Sequence, residues 1–190
     1  MSSITAGQLA PSFNAVTFKG EPINLEDFRG QKVWLAFHRW ASCPLCNLRI
    51  KEVRARYKEF QDQGILMITV FQSPPENIAN YVGKDDPPFA IITDPDLLLY
   101  DIYGVRPNWF GLFYPRLFLR AIRGALAGYL SLTIDGPLAM IPADFLIDPE
   151  GLVWKAYYGQ AASDHIDFDD VVAFGNDRCL DMPDNPVLTK

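Results

Sequence analysis

Cysteine is scarce in this chain, with three residues in 190, and histidine scarcer still, with two. So few cysteines, and an odd number, do not fit a secreted scaffold held by disulfides. No Lys/Arg-rich run is present and the formal charge is -6, which leaves no electrostatic footprint for nucleic acid. No window reaches the roughly 18 uncharged apolar residues of a membrane span. The start, MSSITAGQLAPSF, lacks the basic segment and apolar core of a secretory signal. Together these absences predict a cytoplasmic protein with no membrane span and no nucleic-acid partner.

What is present points to one packed domain. The hydrophobic content is 49% and the aromatic content 13%, which excludes a disordered chain. The length suits a single core over about residues 1–176, with 177–190 as an acidic C-terminal tail. Charge is unevenly placed: basic residues dominate from Arg29 to Lys58. From Asp164 to Asp184 seven aspartates face the single Arg178, a pattern read as a solvated face.

Periodicity orders the elements. NAVTFKGEPINLEDF predicts a short hairpin around Lys19–Gly20 and then a turn of helix. KVWLAFH and ILMITVF are nearly unbroken apolar runs, as central strands covered on both faces require. Between them Cys46, Ile50, Val53, Tyr57 and Phe60 form one apolar stripe, predicting a helix over 44–63 that opens on Pro44 and stops at Gly64. Strand, helix and strand make a βαβ unit with parallel strands. PPENIANYV adds a short helix, and FAIITDPDLLLYDIYGV a strand and a helix. ADFLIDPEGLVWKAYYG predicts a hairpin and FDDVVAFG a closing helix. Residues 107–137 are too long and apolar for a simple loop. An inserted helix packed on the core is the first reading, with a homodimer contact, a lid or a membrane-surface helix behind it.

The chemistry sits in HRWASCPLCNLR, residues 38–49. Zinc would need further ligands, and Cys179, His38 and His165 stand at no recognisable spacing. Two inert core sulfurs would leave Pro44 and the helix start beside Cys43 unexplained. A redox dithiol accounts for both. Cys43 meets the unpaired N–H groups of a helix start, with Arg39 and His38 nearby to add positive charge, so its thiolate is favoured. Cys46, one turn on and on the apolar stripe, is expected to be the more buried, resolving sulfur. Trp40 is read as a shield for the thiolate. His165 is read first as a surface histidine, with approach to the site as the second reading, and Cys179 as a tail residue or a resolving thiol.

Four blocks carry a family resemblance: GQLAPSF, INLEDFRGQKVWLAFHRWASCPLCNLRIKEV, ITDPDLLLYDIYGV and IPADFLIDPEGLVWKAYYG. They resemble the thioredoxin-fold superfamily, and within it the peroxiredoxin-like branch of the alkyl hydroperoxide reductase/thiol-specific antioxidant (AhpC/TSA) family, over about residues 7–174. The resemblance implies a thioredoxin-like α/β fold with a mixed sheet of about five strands, and thiol-based oxidoreduction without a cofactor. It implies a hydroperoxide or a protein disulfide as oxidant and a thioredoxin- or glutathione-like reductant. Typical members place Thr or Ser three residues before the peroxide-attacking Cys, and Pro four before that. Laying Cys46 on that Cys puts Cys43 and Arg39 at those two positions, so the resemblance makes Cys46 the attacker, against the helix-start argument for Cys43. The family arginine falls on Pro142, which instead resembles a thioredoxin-type proline and predicts a cis Ile141–Pro142 bond. A non-catalytic binding or dimerisation module on the same fold is the alternative of another class.

Overall fold

The computed structural model describes residues 3–110 and 134–177 of the chain. A two-stranded antiparallel hairpin opens it, β1 (Asn14–Val16) with β2 (Pro22–Asn24), followed by a 3-10 turn over Leu25–Phe28. The main sheet has five strands: β3 (Lys32–Phe37), β4 (Ile65–Phe71), β5 (Ala90–Thr93), β6 (Ala143–Ile147) and β7 (Val153–Tyr158). Their order is β5-β4-β3-β6-β7, with β3, β4 and β5 parallel and β6 and β7 antiparallel additions. Helices α1 (Pro44–Asp62), α2 (Pro75–Asn80), α3 (Leu98–Ile102) and α4 (Phe168–Asn176) flank it among the described residues.

The central strands follow from their composition. All six residues of β3 are buried and six of the seven in β4, because each strand is covered on both faces. On one face Trp34, Ala36 and Phe71 pack with Cys43, with Cys46, Val53 and Phe60 of α1 and with Phe174 of α4. On the other, Leu35, Phe37, Val70, Tyr100 and Phe145 form the second layer. The stripe predicted for α1 is the buried face observed. Gly64, at φ +74°, turns the chain from the helix into β4 without the steric cost a Cβ would bring there.

Tyr100 locks the sheet where the site begins. The Asp94 carboxylate accepts the backbone N–H groups of Leu98 and Leu99 at 3.0 and 2.8 Å and so sets the start of α3. That helix carries Tyr100, whose hydroxyl donates to the carbonyls of His38 at 2.6 Å and Val70 at 3.1 Å. The ends of β3 and β4 are thereby held together beneath the first turn of α1.

The Ile141–Pro142 bond is trans, contrary to the expected cis form. Proline lowers the cost of cis but leaves trans the favoured state. Here the Pro142 carbonyl accepts the Gly159 N–H at 3.0 Å, next to the Ala143–Tyr158 pair, so the extended chain simply continues into β6. Most of the expected 107–137 insertion, with Arg116, Arg120 and Arg123, lies outside the described residues, as do Cys179 and nearly all of the acidic tail.

Candidate active site

Cys43 is the N-cap of α1, with extended φ/ψ of -62° and 122°, and Pro44 takes the first helical position. The Cys43 N–H donates to the Trp40 carbonyl at 3.1 Å, and Asn47 returns its own N–H to the Cys43 carbonyl at 3.0 Å. The Asn47 side chain clamps the loop by donating to the carbonyls of Ala41 at 2.7 Å and Cys43 at 3.0 Å. Ser73, just past β4, accepts the Ala41 N–H at 2.7 Å. The sulfur is therefore held by a braced turn between two sheet ends.

Both cysteines are free thiols. Each is 1% exposed, so burial does not separate them as the sequence suggested. Electrostatics does. The Cys43 pKa is pushed down to about 6, chiefly by the hydrogen bond from the Cys46 thiol. The Arg39 charge and the N–H groups of Cys46 and Leu45 assist, against the cost of burial. The Cys46 pKa is driven well above the ordinary thiol value by burial and by the negative charge of Cys43. One sulfur is a poised thiolate and the other a protonated thiol beside it.

Arg39 lies between Cys43, Leu138 and Trp40. One Nη lies 3.7 Å from the Cys43 sulfur, the other donates to the Leu138 carbonyl, and the guanidinium stacks on Trp40 at 4.1 Å. Trp40 thus contacts the arginine that faces the sulfur, and is itself 5% exposed.

His38 adds no charge, contrary to expectation. It is fully buried, stacked on Phe71 at 4.7 Å, and its pKa is driven well below the usual value by burial and then by His165. A neutral ring is the cheaper state in that apolar layer. His165 is not a surface residue either: its side chain is 5% exposed and its ring lies 4.7 Å from that of His38. Its Nδ1 is 3.1 Å from the Asp144 carboxylate. Asp144, in β6 opposite Ala36, also accepts from Trp34 Nε1 and the Ile166 N–H, each at 3.0 Å. Burial would raise its pKa, but His165, Arg49 and the Ile166 N–H overcome that and hold it at about 2.

Sequence reasoning missed Asp144, although one acid inside a buried apolar strand is itself a signal. It also missed Leu138, whose carbonyl meets Arg39 only through the fold. Among the described residues no group of three or more His, Cys, Asp or Glu side chains is placed to hold a metal, and no helix is long and apolar enough to cross a membrane.

Peroxiredoxin Bcp of Escherichia coli (strain K12) is 25% identical over 167 residues, covering 88% of this chain and 94% of that one. The thiol-disulfide oxidoreductase ResA of Halalkalibacterium halodurans is 33% identical over 104 residues, 54% of this chain and 58% of its own. The solved peroxidoxin BcpB of Mycobacterium tuberculosis has the same fold, with a TM-score of 0.65 at 15% identity over 90% of this chain and 96% of that one. Residues 6–156 match the AhpC/TSA family, and the chain belongs to it.

Proposed function

We propose that this protein is a thiol-dependent oxidoreductase that reduces hydroperoxides with the Cys43/Cys46 dithiol. The carrying observation is the split in thiol acidity: Cys43 at about 6 and facing Arg39, Cys46 held protonated one turn away. At neutral pH Cys43 is the thiolate, and the thiolate is the nucleophile. Its sulfur attacks one peroxide oxygen, the O–O bond breaks, and the second oxygen leaves as alkoxide or hydroxide to be protonated. Cys46 then displaces the hydroxyl of the Cys43 sulfenic acid, giving the intramolecular disulfide and water. An external dithiol, thioredoxin or glutathione-like, returns the pair to the reduced state in a reducing compartment such as the cytoplasm. The choice of Cys43 as attacker departs from the family alignment, which would use Cys46, because a thiol driven above its ordinary pKa is the poorer nucleophile at neutral pH.

A second reading, exchange with protein disulfides, is favoured by one feature: proline stands at 142 where the family carries its peroxide-site arginine. One single-turnover experiment separates these. Reduced protein mixed with about one equivalent of hydrogen peroxide should lose two hydrogens by intact mass, far faster than free cysteine reacts. Tryptophan fluorescence should follow the change at Trp40. Cys43→Ser should stay silent and Cys46→Ser should stop at the sulfenic acid. Oxidation no faster than free cysteine sinks the peroxidase reading and leaves disulfide exchange. A module that only binds would keep its function in Cys43→Ser.

A further inference from the structure

The end of the sheet that carries Cys43 holds an unusual set of polar atoms. Gln72, the residue after β4, is 1% exposed, yet neither its Oε1 nor its Nε2 has a hydrogen-bond partner among the described residues. Arg39, 4% exposed, spends both Nη atoms on Cys43 and Leu138 but leaves its Nε without a partner. Buried polar atoms are almost always satisfied, and leaving them unpaired is costly. Here three lie on two side chains whose backbones are joined, the Gln72 N–H donating to the Arg39 carbonyl at 3.4 Å.

One short segment covers both. A Cβ built on Gly136 would fall 2.5 Å from Gln72 Cδ, so the amide lies directly against that glycine. Two residues on, the Leu138 carbonyl holds the Arg39 guanidinium. Tyr100 holds the far side: its hydroxyl donates to the carbonyls of His38 and Val70, just before Arg39 and Gln72 in the two chain segments. The unpaired amide and the unpaired Nε therefore lie under one segment, beside the guanidinium that faces the Cys43 sulfur.

We propose that Gln72, with Arg39 Nε, forms the subsite that binds the oxygen atoms of a hydroperoxide over Cys43. This rests on the hydroperoxide reading above and extends it to a residue outside the CxxC stretch. The chemistry matches: a hydroperoxide presents an O–H donor and oxygen acceptors within one O–O bond. The amide offers an acceptor and a donor, and the guanidinium a second donor. Gln72 Oε1 accepts the peroxide O–H, while Gln72 Nε2 and Arg39 Nε donate to the oxygens. As the S–O bond forms and the O–O bond breaks, two electrons pass from the Cys43 sulfur to the peroxide. The leaving oxygen carries away the electron pair of the broken bond under those two donors, then takes a proton from solvent.

The test compares wild type, Gln72→Met and Gly136→Ala in two reactions at one pH. The first is oxidation of reduced protein by hydrogen peroxide, followed by tryptophan fluorescence. The second is alkylation of Cys43 by iodoacetamide, which needs the thiolate and no oxygen subsite. Gln72→Met keeps the volume and should slow peroxide oxidation about ten- to a hundredfold, the loss expected for an unmade hydrogen bond in the reacting complex. Alkylation should stay within about twofold of wild type. Gly136→Ala keeps the amide but displaces it, and should share the selective loss; it carries the test alone if Gln72→Met does not fold. An unchanged peroxide rate overturns the subsite, as for an amide that merely holds a buried water. An equal fall in both reactions also overturns it, by making Gln72 a support for Cys43. If wild type itself reacts with peroxide no faster than free cysteine, the peroxidase reading falls and the subsite with it. A fast wild type with an unaffected Gln72→Met removes the subsite alone.

Discussion

Cys43 takes its acidity from neighbours on three sides: the Cys46 thiol, the Arg39 guanidinium and the open N–H groups of the first turn of α1. The order of these contributions can be measured. Alkylation of Cys43 should be half-maximal near pH 6 in wild type. Removing the hydrogen bond with Cys46→Ala should move that midpoint up furthest, and Arg39→Met by about one unit or more. A midpoint that stays in the ordinary thiol range of about 8.5 in wild type would remove the thiolate from the mechanism. The helix-start position of Cys43 was legible in Cys-Pro at the head of an apolar stripe. The neutrality of His38 was not, because it depends on burial against Phe71 and His165, which are distant in sequence.

Helix α1 sets the geometry of the pair, since Cys43 is its N-cap, Cys46 sits on its first turn and its apolar face is anchored below. Phe60, fully buried, meets Trp34 of β3 edge-to-face with ring centroids 5.5 Å apart. Phe60→Ala should cost about 3–5 kcal/mol in denaturant unfolding, the range for emptying a packed aromatic site. Because this anchor lies near the far end of the helix, the reactivity of Cys43 in the folded fraction should change little. A large fall in alkylation rate without a fall in stability would contradict that division of labour. The boundaries of α1 could be read from Pro44 and Gly64, whose conformational limits act locally. The geometry around Pro142 could not, because a prolyl bond settles as cis or trans according to the strand it enters.

Across the whole molecule, one buried carboxylate ties the sheet to the segment before α4. Asp144 joins β6 to Trp34 of β3 and to His165 and Ile166, while Arg49 of α1 donates to the Ile166 carbonyl at 2.7 Å. Asp144→Ala would leave the Trp34 and Ile166 donors without their acceptor and should destabilise the fold by about 3–5 kcal/mol. Folding depresses the Asp144 pKa to about 2, so its contribution is complete above the unfolded value of about 4 and is lost as pH falls toward 2. Unfolding free energy should therefore drop on the order of 2–3 kcal/mol across that window, and Asp144→Asn should flatten this part of the profile. An unchanged acid limb in Asp144→Asn would show that other groups govern acid stability.

Local rules were enough for part of this protein. The unbroken apolar runs of the central strands, the stripe of α1, the hairpin around Asp148–Gly151 and the Cys-Pro helix start are all set by neighbours within a few residues, so the sequence alone determined them. What only the tertiary structure decided are the relations between segments far apart in the chain. It packed His165 against Asp144 and His38 rather than leaving it on the surface, buried both sulfurs equally, and set Leu138 and Gly136 over Arg39 and Gln72. Burial and charge at a site are sums over such distant contacts, and no single stretch of sequence contains all of the contributors.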